Sequence, residues 1–335
     1  MAAMTTTLIH VESMQTAVPT RKQRQPRLAE EERAAWVKES LSAALADHPE
    51  MAGRLRRRAD GGPWEVRLND NGVRLVQASV DVPMAAFLEA KDLERKEAAL
   101  ALWTDVDVHD PEFCAPFFMQ LTRFQDDGYA IGACCSLLLA DPRSLVDFLK
   151  AWACTHAEMQ ARSKPVAPPA MIQYTRYLQS PSAVRRLKSV PLYSCSAAAA
   201  TTTVLFRAGP AAADPQVDRH KLAAACVDQA VEKLGSNAKK PPRLTVLSAG
   251  GSGGVNVDMC DGDGETTTTA PPSSRGHALG AAYWSDFGLG KIALDGSEPV
   301  HVSCSVVSPC ADEGLVVVMT PAGGAELLIS ATVPN

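Results

Sequence analysis

Residues 8–18 alternate apolar and polar and end at Pro19, the pattern of a half-buried strand running into a turn. Residues 21–27 are basic and polar and read as a loop. Over 30–46 the period changes: Trp36, Val37, Leu41, Ala44 and Leu45 recur at helical spacing, and Asp47, His48 and Pro49 stop the helix. Residues 64–68, 73–76 and 78–80 are short strand candidates, the first two separated by the turn signal Asn69-Asp70-Asn71-Gly72. Residues 117–124 and 129–139 read as two strands joined by Asp126-Asp127-Gly128. The second is almost wholly apolar, so it is expected in the middle of a sheet, covered on both faces. Pro142 breaks it, and 144–156 has the stripe of a helix.

A proline-rich stretch at 164–169 opens the crossing between two halves. Beyond the low-complexity run 197–203, a strand reaches Phe206. Residues 218–234 form a helix with Leu222, Cys226, Val227, Ala230 and Leu234 inward and Gly235 as its stop. Residues 244–247 are a strand, 249–275 a long mobile loop rich in Gly, Thr, Asp, Ser and Pro, and 300–307, 315–320 and 326–332 three closing strands. This mixture predicts an α/β class with antiparallel or mixed sheets and no regular βαβ winding.

With 335 residues the chain can build one large or two medium cores, and 46% apolar with 21% charged residues is ordinary for a globular protein. A net charge of −5 gives no general reason to bind nucleic acid or an anionic membrane. The short basic cluster Arg54, Arg56, Arg57 and Arg58 reads as a solvated turn face. No apolar run approaches the ~18 residues of a membrane-spanning helix, and residues 1–18 lack the layout of a signal peptide. The nine cysteines are odd in number and irregularly spaced, with Cys134 and Cys135 adjacent, so buried reduced thiols are expected and zinc is not.

Candidate chemistry is thin. The run Gly250-Gly251-Ser252-Gly253-Gly254 follows a strand, but no helix opens behind it to meet a phosphate, so it reads as a loop. Asp258, Asp261, Asp263 and Glu265 miss the spacing of a calcium loop. The histidines, at 10, 48, 109, 156, 220, 277 and 301, form no nucleophile or metal motif, and no Ser-His-Asp or Cys-His pairing can be assembled from spacing.

Two blocks carry more. Residues 131–149 include Cys134-Cys135-Ser136-Leu137-Leu138-Leu139-Ala140-Asp141-Pro142, and 285–291 read Ser-Asp286-Phe287-Gly288-Leu289-Gly290-Lys. With the opening strand at 11–20, the His48-Pro49-Glu50-Met51-Ala52-Gly53-Arg54-Leu55 turn, the hairpin at 69–76 and Pro116-Phe117-Phe118, these pieces occur in the order found in the plant BAHD (HxxxD-type) acyl-CoA-dependent acyltransferases, which the chain resembles along nearly its whole length. The resemblance implies a two-domain chloramphenicol-acetyltransferase-like α/β fold with mixed sheets: residues 1–165 as one domain, 166–195 as crossover and 196–335 as the other. It implies acyl-CoA as co-substrate and no cofactor, a small alcohol or amine acceptor, and a cytoplasmic monomer of specialised metabolism.

It also implies a general-base histidine four residues before Asp141, in a channel between the domains, whereas this chain has Leu137 there. Asp141 is the retained motif aspartate that holds local backbone, and Asp286, Phe287, Gly288 and Gly290 retain the second, structural block, with Leu289 in place of tryptophan. Leucine cannot accept a proton. Cys135, two residues back on the strand, is expected to be structural, because an apolar strand raises a thiol pKa.

Relative to the family the chain looks shortened: it passes quickly from Pro19 to the helix at Glu30, replaces a stretch between Leu247 and His277 by a loop, and lacks a final helix before Asn335. Such departures resemble the eceriferum-2/glossy-2 branch, which implies assistance to fatty-acyl elongation enzymes without the histidine. The expectations are therefore an acyltransferase whose activity is weak or lost, a non-catalytic accessory protein, or a truncated non-functional remnant.

Overall fold

A computed structural model of the chain describes residues 8–19, 31–57, 64–104, 106–107, 109–162, 190–191, 201–213, 217–249, 254–261, 279–308, 312–320 and 326–335. The crossover, apart from 190–191, the glycine run at 250–253 and the stretch 262–278 with His277 lie outside them. The first half contains β1 (Leu8–Ala17), α1 (Glu31–Asp47), β2 (Arg54–Arg57), β3 (Trp64–Arg67), β4 (Val73–Val80), α2 (Met84–Leu88), α3 (Leu93–Ala98), β5 (Phe117–Phe124), β6 (Tyr129–Cys135) and α4 (Pro142–Arg162). The remainder contains β7 (Val190–Pro191), β8 (Thr201–Ala208), α5 (Arg219–Leu234), β9 (Arg243–Ala249), β10 (Val255–Asp261), β11 (Leu279–Ala282), β12 (Gly314–Met319) and β13 (Leu327–Pro334).

Two mixed sheets result, confirming the α/β class. The smaller runs β6-β5-β4-β1-β7, with β4 and β5 parallel and the other pairs antiparallel. The larger runs β11-β8-β13-β12-β9-β10-β3-β2, with β9 and β12 parallel. It draws on both ends of the sequence: β3 meets β10 through Trp64 and Val255.

The apolar periodicities explain the layering. Val37, Leu41, Ala44 and Leu45 of α1 and Phe148 and Trp152 of α4 pack on Leu75, Phe117, Met119 and Leu121 of the smaller sheet. Leu222, Ala223, Cys226, Val227 and Ala230 of α5 cover one face of the larger sheet, meeting Phe206, Val246, Val316, Val318 and Ile329. Asp218 caps α5 by accepting from the amides of His220 (3.0 Å) and Lys221 (3.3 Å), and Gly235 closes it at φ 60. Alternate residues of β12 and β13, Leu315, Val317, Met319 and Leu328, face the other way into a cluster with Val146 of α4. Each large apolar side chain so buried stabilises the fold by roughly 1.5–3 kcal/mol.

Several expectations need correction. Residues 73–80 are one strand, because the ladder to β1 runs through Gln77 past a bulge between Val11 and Ser13. Strand β6 ends at Cys135 instead of Leu139, and it is an edge strand pairing only with β5. Its apolar run reflects cover on both faces: Ala133 and Cys135 meet the α1–α4 core, while a Cβ on Gly132 would collide with the Leu100 carbonyl on the other. Cover from above and below does not require a neighbour at each edge. Residues 300–307 pair with no strand among the described residues despite their alternation, and 255–261, placed in the long loop, form β10 along the full length of β9.

Arg54 is the sharpest correction to the solvated basic cluster. It is only 2% exposed and donates to the carbonyls of Gly53 (2.9 Å), Gly72 (3.0 Å) and Asn71 (3.1 Å), clasping the 69–72 turn. Burial, then repulsion from Arg74, lowers its pKa to about 10, which leaves it charged at neutral pH.

Candidate functional site

Ser136 folds the chain back immediately after β6. Its carbonyl accepts from the amides of Leu139 (2.9 Å) and Ala140 (3.1 Å), and its hydroxyl accepts from Leu138 (3.3 Å). Leu137 therefore sits in a tight turn beyond the strand that carries Cys135, and not on that strand. Leu139 and Ala140 point into the α1–α4 core, while Leu137 packs, half-buried, with the cluster on the inner face of the larger sheet. Asp141 ends the turn as the N-cap of α4, accepting from the Ser144 amide at 2.8 Å, and Pro142 occupies the first helical position, where a missing N–H costs nothing. The Asp141 carboxylate thus holds the first turn of α4.

Burial raises the Asp141 pKa, and its hydrogen bonds to Ser144 and Arg143 only partly offset that. A carboxyl raised in the folded state contributes stability that is fully present below its unfolded pKa and lost as pH rises through the folded one. At pH 7 the ionised group is a net liability beside its capping value. Asp141→Asn, which keeps the cap without the charge, should match or exceed wild-type stability. Asp141→Ala should lose about 0.5–2 kcal/mol. Urea unfolding at pH 7 measures both, and equal losses in the two variants would contradict the capping role.

The second block lies against the first. A 3₁₀ turn, Trp284–Phe287, is closed by Asp286, which accepts from the Tyr283 amide at 3.0 Å and pairs with Arg207 of β8 at 3.3 Å. Gly288 has φ 74, a left-handed conformation that glycine adopts without strain. Phe287 is fully buried in the cluster that Leu137 joins, with Trp284 and Leu289 packed around it. Arg143 of α4 stands 5.9 Å from the Phe287 ring centroid, and a Cβ on Gly288 would approach Lys150 Nζ at 3.6 Å. The two blocks thus share one apolar seam between the halves, organised by α4. Gly290 is unobstructed.

The Cys135 thiol is pushed far up by burial and packs on the opposite core, and Cys134 is pushed up to about 11. Three histidine rings are engaged elsewhere: His10 with Asp81 (3.0 Å), His48 with Glu50 (3.3 Å) and edge-on to Phe148, and His301 with Glu97. His109 lines an open cavity of ≈ 310 Å³ with Arg56, Arg57, Asp110, Glu112 and Phe113, where the acids offset the arginines. Among the described residues no three potential metal ligands cluster, and no helix is long and apolar enough to cross a membrane.

One constellation was invisible in the spacing. Ser40 Oγ of α1 lies 2.9 Å from His156 Nδ1 of α4, and His156 Nε2 lies 3.1 Å from Asp295 Oδ1. Trp152 Nε1 donates to Ser40 Oγ at 3.0 Å, Gln160 donates to Asp295, and Arg33 pairs with it at 3.0 Å. This is a Ser-His-Asp order, yet Ser40 is 0% and His156 2% exposed, so no substrate carbonyl can reach the hydroxyl. Ser40 Oγ also lies 3.1 Å from the Val37 carbonyl, so its hydrogen has two acceptors within reach, that carbonyl and His156 Nδ1, while His156 Nε2–H faces Asp295. The Asp295-Gly296 pair, with φ 52 and 76 and mutual bonds between Leu294 and Ser297 (both 3.0 Å), is a two-residue hairpin turn, and that dipeptide was the one local signal available.

Comparison with known proteins fits this picture. Residues 21–203, more than half of the chain, match the model of the Transferase family. Putrescine hydroxycinnamoyltransferase 3 of Oryza sativa subsp. japonica is 34% identical over 118 residues, 35% of this chain and 25% of that protein. The ECERIFERUM 26-like protein of Arabidopsis thaliana is 30% identical over 122 residues, 35% and 27% of the two chains. Agmatine coumaroyltransferase-1 of Hordeum vulgare is 32% identical over 118 residues, 35% and 25%. The aligned stretch spans only about a quarter of the length of these relatives. The solved structure of vinorine synthase superposes with a TM-score of 0.47 at 14% identity, covering 97% of this chain and 94% of that one, a likeness too loose to build on. The chain belongs to the Transferase family, that of the BAHD acyltransferases.

Proposed function

We propose that this is a BAHD-lineage protein in which acyl transfer from acyl-CoA to an alcohol or amine is weak or lost, because Leu137 stands where the family's general base is expected. The observation that carries the reading is the environment of that residue. It packs into the apolar seam with Phe287, Trp284 and Leu289, while the family-pattern aspartate four residues on keeps its capping bond. The turn and its cap are formed, and the side chain at this position is apolar, which supports the reading. On this reading the protein acts in the cytosol as a monomer.

The names of the relatives suggest the first pair to assay, a hydroxycinnamoyl-CoA donor with putrescine or agmatine as acceptor. Release of free CoA by the purified chain should stay at the rate of a protein-free control. Turnover well above that rate, unchanged by substitution at Leu137, would overturn the reading. A second reading, a non-catalytic accessory role in very-long-chain fatty-acyl elongation, is supported by the likeness to the ECERIFERUM 26-like protein. Affinity capture from plant epidermis that recovers no lipid-elongation enzyme would count against it.

A further inference from the structure

We infer that residues 294–308 are a latched strap, held across the seam between the halves by the seating of Asp295 on the Ser40–His156 relay, and that its release uncovers the cluster around Leu137. The strap follows the second block directly and carries little regular structure. Among the described residues it makes no strand pairing apart from the Leu294–Ser297 bridge. It is held at separate points. Leu294 packs on the α1–α4 core, Asp295 reaches His156, Gln160 and Arg33, and His301 reaches Glu97 of α3. Val306, 7% exposed, then closes over the Leu137–Phe287 cluster, its carbonyl 3.5 Å from Thr203 Oγ1 of β8. Between these points the strap gains little from burial: Val300 is 80% exposed, and Val302 and Val307 are also exposed.

A segment with few apolar contacts and no ladder opens at low free-energy cost unless a polar anchor holds it. Among these anchors, Asp295 is the one that gathers several partners, satisfying donors from two helices. Withdrawing it strands His156 Nε2–H inside the protein and leaves Arg33 and Gln160 without their common acceptor, so the anchor engages or releases as a unit. The relay, with its triad-like order, therefore acts as a clasp and not as a nucleophile. Whether Leu137 marks a silenced base bears only on what the uncovered seam is for, not on the clasp itself.

Hydrogen–deuterium exchange of the intact chain at pH 7 tests this without reading turnover. In Asp295→Ala, exchange should rise at least ~10-fold at the hydrogen-bonded amides of Leu294 and Ser297 and rise at those of the Leu137 turn, with α5 unchanged, as for a local opening. Asp295→Asn, which keeps a hydrogen-bonding group of the same shape, should give a smaller rise in the same segments and carries the test if the alanine variant does not fold. His156→Gln should also loosen the strap selectively. Unchanged exchange at the Leu294, Ser297 and Leu137-turn amides in a folded variant, or an equal rise everywhere including α5, would overturn the inference.

Discussion

Leu137→His should accelerate CoA release from a hydroxycinnamoyl-CoA in the presence of an amine acceptor by about 10²–10⁴-fold over the wild-type chain, the range a positioned general base contributes. The substitution places an imidazole in the turn after β6, among Phe287, Trp284 and Leu289. An apolar setting lowers a histidine pKa, which favours the neutral ring that can take a proton at neutral pH. The cap of α4 by Asp141 already fixes the backbone on the far side of the turn. The cost is stability: an imidazole without a partner in that seam should destabilise the fold by roughly 1–3 kcal/mol. The expected signature is thus a lower melting temperature together with a gained activity. A folded variant that binds acyl-CoA and shows no gain would place the loss in the channel as a whole and not in its base alone.

The largest loss of stability is expected at Trp152. Its side chain is fully buried in the α1–α4 core and donates its indole N–H to Ser40 Oγ at 3.0 Å. Trp152→Ala should cost about 3–5 kcal/mol through lost burial and the cavity left behind. Trp152→Phe retains most of the packing and removes the donor, so it should cost less, near the ~1 kcal/mol of one hydrogen bond plus the volume difference. Against a typical total of about 5–15 kcal/mol, the alanine variant should unfold far earlier in urea, read by circular dichroism to avoid the altered fluorescence. A loss under ~1 kcal/mol in Trp152→Ala would contradict the packing described.

What the sequence made legible was whatever local chemistry decides. Residues 117–124 matched their strand at both ends, because Pro116 and the Asp126-Asp127-Gly128 turn bound it. The helix expected over 218–234 runs Arg219–Leu234, because Asp218 and Gly235 carry its caps. What depends on distant partners was not legible. Strand β6 is apolar because both faces are covered, and nothing local reveals that its outer edge is unpaired. The alternation at 300–307 promised a strand that finds no ladder, while Val255, Val257 and Met259 were hidden by a Gly- and Asp-rich setting. Arg54 reads as surface charge until the carbonyls of Asn71 and Gly72 are brought to it. At the site, both signature blocks and Leu137 could be found by pattern, but their meeting in one seam through α4 could not. Nor could Ser40, His156 and Asp295, which lie more than a hundred residues apart in sequence.

The join of β3 to β10 has a consequence for how the molecule is made. Trp64 leaves the ribosome roughly 190 residues before Val255, its partner across the join. At typical synthesis rates that is about 10–40 s, during which the early hairpin of β2 and β3 has an open side. The larger sheet can therefore close only after most of the polypeptide has been translated. Either portion expressed alone would expose that unmatched backbone edge to self-association.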